Sequence, residues 1–218
     1  MKRIVAEIKK KTAMKAYKLS IEKDSKPDIF DSKFGGVPYW DMGKEYPLDS
    51  KGKKMMLLAQ INFTKASLED ERLPKQGILQ FFIASEDDVY GMDWDQADSQ
   101  KDFRVIYHET IDESITKEQV LQLDIPISTS EEDSDYLYDE CNIQGHWILG
   151  YPFFTQYDPR EGREDSYYNT LLFQMDSEMI DHEDYVLWGD CGVANFFIND
   201  EALGKLDFSK ILYNWDCC

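Results

Sequence analysis

Polar and apolar positions alternate over short stretches of this chain. In AYKLSIEK, Ala16, Lys18, Ser20 and Glu22 fall on one side and Tyr17, Leu19 and Ile21 on the other, a period of two that predicts a strand with one buried face. SKPDIFDSKFGGVPYW comes next, and its two prolines and Gly-Gly pair predict irregular, turn-rich chain over 25–40. Beyond it the apolar stretches are MMLLAQINF (55–63), GILQFFIA (77–84), FRVIYHE (103–109), HWILGYPFF (146–154), TLLFQM (170–175), YVLWG (185–189), VANFFI (193–198) and KILYNW (210–215). Each is shorter than a typical helix, rich in β-branched and aromatic residues and bounded by Gly, Pro, Asp or Asn, which is the pattern of strands. Helical pattern is confined to a few short places. One is the start, where Ile4, Val5 and Ile8 form a stripe ahead of Lys9, Lys10 and Lys11; another is TKEQVLQL (116–123), with Thr116 as cap; the last is short turns near 64–70 and 200–205.

Four blocks recur in the same order. Gly36-Val37-Pro38-Tyr39-Trp40 matches Gly150-Tyr151-Pro152-Phe153-Phe154 at an offset of 114, and Leu57-Leu58-Ala59-Gln60 matches Leu171-Leu172-Phe173-Gln174 at the same offset. With one residue inserted, Gly77–Ile83 matches Gly192–Ile198, and Asp102–Tyr107 pairs with Asp207-Phe208 and Ile211–Tyr213. Nearly constant spacing over four blocks predicts an internal duplication. The expectation is one domain over 1–218, built from two β-rich repeats at about 25–109 and 145–218 that share one core and are joined by an acidic connector, 110–144. Phe81, Ile83, Phe196 and Ile198 would then point into that core, with Gln80, Phe82, Asn195 and Phe197 on the opposite faces.

SKFGGVPYW, LLAQINF, LPKQGILQFFI with DDVYG after it, and WGDCGVANFFI ahead of DFSKILYNWDCC resemble the YwqG-like family of bacterial proteins, a domain of unknown function, over most of the chain from about Ser32 onward. The resemblance implies a mainly β roll with a few helices. It implies no reaction, cofactor or catalytic residue. An association of such domains with toxin-immunity neighbourhoods suggests an inhibitor-like role.

Composition narrows the function classes. The 218 residues are 42% hydrophobic and 14% aromatic, enough for a core and incompatible with a disordered chain. No apolar run reaches the roughly 18–20 residues that span a bilayer, and the start lacks a signal-peptide stretch, so a cytoplasmic location and no membrane partner are expected. Residues 1–26 carry nine basic and three acidic side chains, and residues 27–218 carry 15 and 40, a net of −25. A field of that sign repels phosphate, so no nucleic acid partner is expected.

Candidate chemistry is sparse. Cys191, Cys217 and Cys218, with His108, His146 or His182, are the available soft ligands, but no CxxC, CxxH or HExxH spacing occurs and adjacent cysteines chelate poorly, so neither metal nor cofactor is expected. Cys141 and the other thiols are expected to be reduced. There is no GxSxG elbow and no phosphate-binding glycine loop; Cys191 beside Asp190 reads as a small residue packed near Trp188. Glu86, Asp87 and Asp88 after one FFI strand and Asn199, Asp200 and Glu201 after the other read as polar strand ends.

These residues admit two functional readings. In the first the protein is a non-catalytic binding module, of immunity type, whose acids steer a basic protein. EEDSDYLYDE supplies Glu131, Glu132 and Asp133 for attraction and Tyr136 and Tyr138 as anchors. In the alternative an enzyme or small-ligand binder uses a cleft between the halves, lined by Asp87, Asp88, Asp190, Trp188, Trp215 and Asp216. The sequence leaves the oligomeric state open.

Overall fold

The computed structural model describes residues 13–22, 25–86, 88–127, 144–163 and 167–217, and 132–137 as backbone. The helix expected over the first residues lies outside this set. Ten strands form one antiparallel sheet: β1 (Ala16–Glu22), β2 (Lys33–Phe34), β3 (Met56–Asn62), β4 (Ile78–Ile83), β5 (Phe103–His108), β6 (Glu132–Leu137), β7 (His146–Leu149), β8 (Thr170–Asp176), β11 (Val193–Ile198) and β12 (Leu212–Asp216). Strands β9 (Glu178–Ile180) and β10 (Glu183–Val186) make a separate hairpin. The described helices are α1 (Lys117–Leu121) and α2 (Asp200–Gly204), each a single turn or so. Thr116 caps α1 as expected, and Gln119 closes the capping box. The chain is mainly β, and no described helix is long and apolar enough to cross a membrane.

The sheet runs β12-β11-β8-β7-β1-β6-β2-β3-β4-β5. β1 leads into the N-terminal half yet pairs with β7, and β6 leads into the C-terminal half yet pairs with β2. The two lead-in strands pair with each other at the centre, so the halves are laced together through the backbone. The acidic connector is therefore more than a linker: it contains α1 and a central strand.

Alternation then builds the core. Phe81 of β4 lies 4.9 Å from Phe196 of β11, and Phe103 of the edge strand β5 lies 5.1 Å from Tyr213 of the opposite edge strand β12. Strands at opposite ends of the sheet order meet only if the sheet rolls up. Phe81, Ile83, Phe196 and Ile198 fill this shared interior, as their positions predict. Phe82 and Phe197 sit in separate outer clusters, one covered by Trp40, Tyr46 and Val120, the other by Phe154 and Tyr167.

Local geometry recurs at the matched positions. Leu58 in β3 is an extra residue opposite β4, and Leu172 in β8 is an extra residue opposite β11, so both LLxQ blocks carry a β-bulge at the same place. Gln60 Oε1 accepts the Tyr39 N–H at 2.9 Å and Gln174 Oε1 accepts the Phe153 N–H at 2.7 Å. Gln80 Nε2 donates to the Tyr39 carbonyl at 2.7 Å and Asn195 Nδ2 to the Phe153 carbonyl at 2.9 Å. Gly35-Gly36 and Leu149-Gly150 both have two successive positive φ angles. Such a pair makes a tight turn that glycine enters freely and Leu149 only under strain. The halves differ in cover. Val37 is buried in the cluster that includes Val120 of α1, whereas Tyr151 at the matched position is 49% exposed.

One ion-pair group ties the halves at the surface. Arg72 Nη1 is 2.6 Å from Asp200 at the start of α2, while its Nε and Nη2 hold both oxygens of Asp70 at 2.9 and 2.8 Å. Hydrogen bonds from Arg72 keep the buried Asp70 carboxyl below the usual carboxylate range. Arg72→Met should lower stability by about 1–2 kcal/mol, less than a fully buried pair because the guanidinium is partly screened by water. Urea midpoints measure this, and an unchanged midpoint would count the network as ornament.

Candidate functional site

The seam between the halves holds a cleft of about 160 Å³. Phe34, Gly35, Met56, Leu57, Leu58, Ile83 and Tyr90 form one side, and Met175 and residues 185–188 the other. Each wall is set by local structure. The two-residue strand β2 ends at the Gly35-Gly36 turn, where the Gly35 N–H donates to the Leu58 carbonyl at 3.0 Å and pairing with β3 stops. Across the seam β9 and β10 are joined by Asp181-His182, both at positive φ, a two-residue turn whose twist suits a hairpin although neither residue is glycine. A bulge at Tyr185 then aims Tyr185 and Val186 at the cleft.

Trp188 is the most firmly held of these residues. Its backbone N–H donates to Ser177 Oγ at 2.9 Å, and its carbonyl accepts the Gly192 N–H at 2.8 Å. Ser177 Oγ donates in turn to the Gly192 carbonyl at 2.8 Å. Tyr90, itself at positive φ, packs edge-on against Trp188 at 5.5 Å and Trp215 at 5.1 Å. Trp215 Nε1 donates to the Val89 carbonyl at 2.7 Å, and Tyr213 donates from its hydroxyl to the Tyr90 carbonyl at 2.9 Å. The 89–92 loop is thus fastened to β12, which makes the aromatic side of the cleft rigid.

A polar group stands behind Phe34. The buried His146 accepts the Asp176 N–H at Nδ1 (3.1 Å), so its proton is on Nε2, which faces Glu178 at 2.7 Å. That hydrogen bond lowers the Glu178 pKa, whereas burial raises that of Asp176 despite N–H bonds from Gly145 and Ser177. His146 contacts the Phe34 ring at 4.8 Å and does not line the cleft. Among the described residues the lining contains no carboxylate, imidazole, amine or thiol. Such a surface can bind an apolar group and offers no general acid or base except tyrosine.

Residues 32–217 match the family described as Domain of unknown function (DUF1963). The chain belongs to that family. No curated protein matches it. The DUF1963 match takes in every residue of the cleft, so the site belongs to the family domain and not to an appendage.

The residues expected to share a cleft are dispersed in this DUF1963 chain. Trp188 lines it, and Trp215 backs Trp188 and Tyr90 from the second row. Asp88 and Asp190 are exposed and absent from the lining, and Asp87 lies outside the described residues. Asp216 is buried elsewhere, accepting the Thr155 N–H at 3.1 Å and its hydroxyl at 2.8 Å, because alternation along β12 sends it to the face opposite Trp215. The acidic segment of the first reading is only partly among the described residues: Glu132, Asp133 and Tyr136 are in the backbone of β6, and Glu131 and Tyr138 lie outside the described residues. Among the described residues no group of three His, Cys, Asp or Glu side chains is placed to hold a metal. The cleft residues that sequence reasoning missed are the aliphatic wall, Met56, Leu57, Ile83 and Met175; nothing in their pattern separates them from ordinary core.

A wider depression of about 600 Å³ runs along β5 beside Leu206, Phe208 and Ser209. Its central polar side chain is already committed, since Gln100 accepts the Val105 N–H at 2.9 Å and donates to the Phe208 carbonyl at 2.9 Å.

Proposed function

We propose that the protein is a binding module that takes a small, uncharged, largely apolar molecule into the cleft between its halves. The observation that supports this reading is a preformed apolar cleft of about 160 Å³ with rigid aromatic residues on one side. An apolar cavity of roughly that size accommodates a benzene-sized solute. Toluene, titrated against tryptophan fluorescence, should bind saturably with a Kd of about 0.1–1 mM, the range open to a ligand of so few atoms. Val186→Phe and, separately, Leu57→Phe should fill the space and abolish binding. Unsaturable fluorescence changes, or equal binding by a folded, filled variant, would reject the reading.

A second reading is capture of a basic protein in the cytoplasm by an immunity-type inhibitor, supported by the net charge of −19. Along one edge β6 pairs with β1 over residues 133–137, and along the other β2 takes up only Glu132 and Asp133, so the reading rests on the charged and tyrosine side chains of the 131–140 segment. The triple change of Glu131, Glu132 and Asp133 to Lys should slow association with a basic partner at low salt and leave it unchanged near 1 M salt. Equal rates at low salt would exclude this segment. The ordered sequence blocks support a place among the YwqG-like members of the family. The matched bulges and amide bonds support descent of the two halves from one duplicated unit.

A further inference from the structure

β5 and β12 are the two edges of the large sheet. An edge strand turns every second backbone N–H and C=O away from its neighbour, and these groups are either covered by the rest of the chain or open to another strand. On β12 the cover is present: the Tyr213 N–H donates to the Ala97 carbonyl at 3.0 Å and the Trp215 N–H to Met92 Sδ at 3.4 Å. On β5 it is incomplete. The Ala84 N–H donates to the Asp102 carbonyl at 2.8 Å, so by register Arg104, Ile106 and His108 direct their backbone groups to β4, and Val105 and Tyr107 direct theirs outward. Gln100 Oε1 accepts the Val105 N–H at 2.9 Å. Among the described residues the backbone N–H and carbonyl of Tyr107 have no partner, and Tyr107 lines the depression beside this edge.

Charge singles out the same place. Among the described residues the lining of the depression holds two cations, Lys101 and Arg104, and no carboxylate, in a chain of net −19. Arg72, Arg160 and Arg163 have carboxylates at 2.8, 2.6 and 3.9 Å. Arg104 has none among the described residues: its Nε donates to the Gln100 carbonyl at 3.1 Å, which leaves the two Nη groups uncommitted. Arg104 and Ile106 share one face of β5, and Tyr107 lies on the other, where its ring meets Phe208 at 5.7 Å. The edge therefore presents a guanidinium on one face and an aromatic contact on the other, with a free backbone donor and acceptor between them.

We infer that β5 receives an extended, acidic segment of a partner protein, which adds to the sheet beside Tyr107 and places a carboxylate on Arg104. The residue opposite Tyr107 exchanges two backbone hydrogen bonds with it. The next residue stands opposite Ile106, on the Arg104 face, so an acid there reaches the guanidinium while the apolar residues on either side of it face Tyr107 and Phe208. Gln100 ends the added ladder at Val105. The forked guanidinium suits a carboxylate, which it can hold through two parallel bonds. A second copy of this chain is a poor occupant, because pairing β5 with β5 brings two uncompensated guanidinium groups into one groove. The depression shares no lining residue with the cleft, so this inference stands apart from the reading of the cleft.

Capped hexapeptides of valine alternating with glutamate, glutamine or lysine test it at about 0.15 M salt, where a Debye length of about 8 Å confines the effect of charge to the groove. The glutamate peptide should bind saturably and about tenfold more tightly than the lysine peptide. With about nine-tenths of the chain bound, hydrogen exchange at the Tyr107 amide, followed in ¹H–¹⁵N spectra, should slow about tenfold, because that N–H is then open only in the free fraction. Arg104→Gln should weaken the glutamate peptide about tenfold and leave the glutamine peptide unchanged. Tyr107→Pro removes the N–H at an outward position of an edge strand, where proline is tolerated, and should weaken both peptides. If that variant does not fold, Tyr107 exchange in the wild type and the Arg104 variant still decide. No binding of the glutamate peptide, equal binding of the glutamate and lysine peptides, or a bound peptide that leaves Tyr107 exchange unchanged would overturn the inference. So would Tyr107 protection that grows with the concentration of the chain alone, since β5 would then pair with a second copy.

Discussion

Gln80→Met should destabilise the protein by about 4 kcal/mol, while Asn195→Leu, at the matched position of the other half, should change stability by no more than about 1 kcal/mol. Both amides reach across to the carbonyl of an aromatic residue, Tyr39 or Phe153. Their surroundings differ. Gln80 also donates to Gln60 Oε1 at 2.7 Å and faces His108 Nε2 at 3.0 Å through its own oxygen. Tyr39 and His108 are each 1% exposed, so a methionine would strand a carbonyl and an imidazole N–H where water cannot reach them. Each stranded group costs about 1–3 kcal/mol. Asn195 holds one carbonyl on the half-buried Phe153, which solvent can serve, and its own Oδ1 has no partner among the described residues. Replacing it removes one bond and one orphan together. Equilibrium urea unfolding of the two variants, each close in size to the residue it replaces, provides the comparison. Equal losses would mean that the two amide clamps are energetically alike and that cover by the α1 segment has no bearing on them.

That asymmetry was invisible in the sequence, although four similar blocks recur there in the same order. VPYW and YPFF, LLAQ and LLFQ, and QFFI and NFFI align because each block needs a bulge, a buried amide and two aromatic faces. The segment after β5 supplies Ile115, Val120 and Ile125 to the outer cluster around Phe82, whereas the cluster around Phe197 is packed by Phe154 and Tyr167. β1 was legible from alternation, and the other strands named from the sequence were legible as short apolar runs bounded by turn residues. β6 reads EDSDYL, a composition that disfavours strands when taken alone, and its place is set by long-range pairing with β1 and β2. The cleft was legible only in Trp188. An aspartate wall is expected only from proximity in sequence, and alternation separates Asp216 from Trp215 while turns leave Asp88 and Asp190 exposed. The hairpin that shapes the far wall turns at Asp181-His182, which lacks the glycine by which such turns are recognised.

Acid should weaken the fold through His108 well before most carboxylates titrate. Burial, with a smaller contribution from nearby Lys44 and against the pull of Asp41, lowers its pKa from 6.5 to about 4. Its Nε2 faces Gln80 Oε1, so the neutral ring donates there, and Nδ1, without a partner among the described residues, has nothing to stabilise an added proton. The unfolded chain protonates this imidazole near pH 6.5 and the folded protein near pH 4. Between those values the unfolded state binds more protons, so stability rises with pH. The contribution is complete above about pH 6.5 and is lost as pH falls to about 4, an effect on the order of 3 kcal/mol. Glutamine in place of His108 retains an N–H for Gln80 and does not titrate. His108→Gln should therefore show a shallower fall in the urea midpoint between pH 7 and pH 4.5 than the wild type. Parallel curves for the two would show that His108 takes up its proton in the folded state as readily as in the unfolded one, through an opening of the Trp40–Tyr46 cover that packs around it.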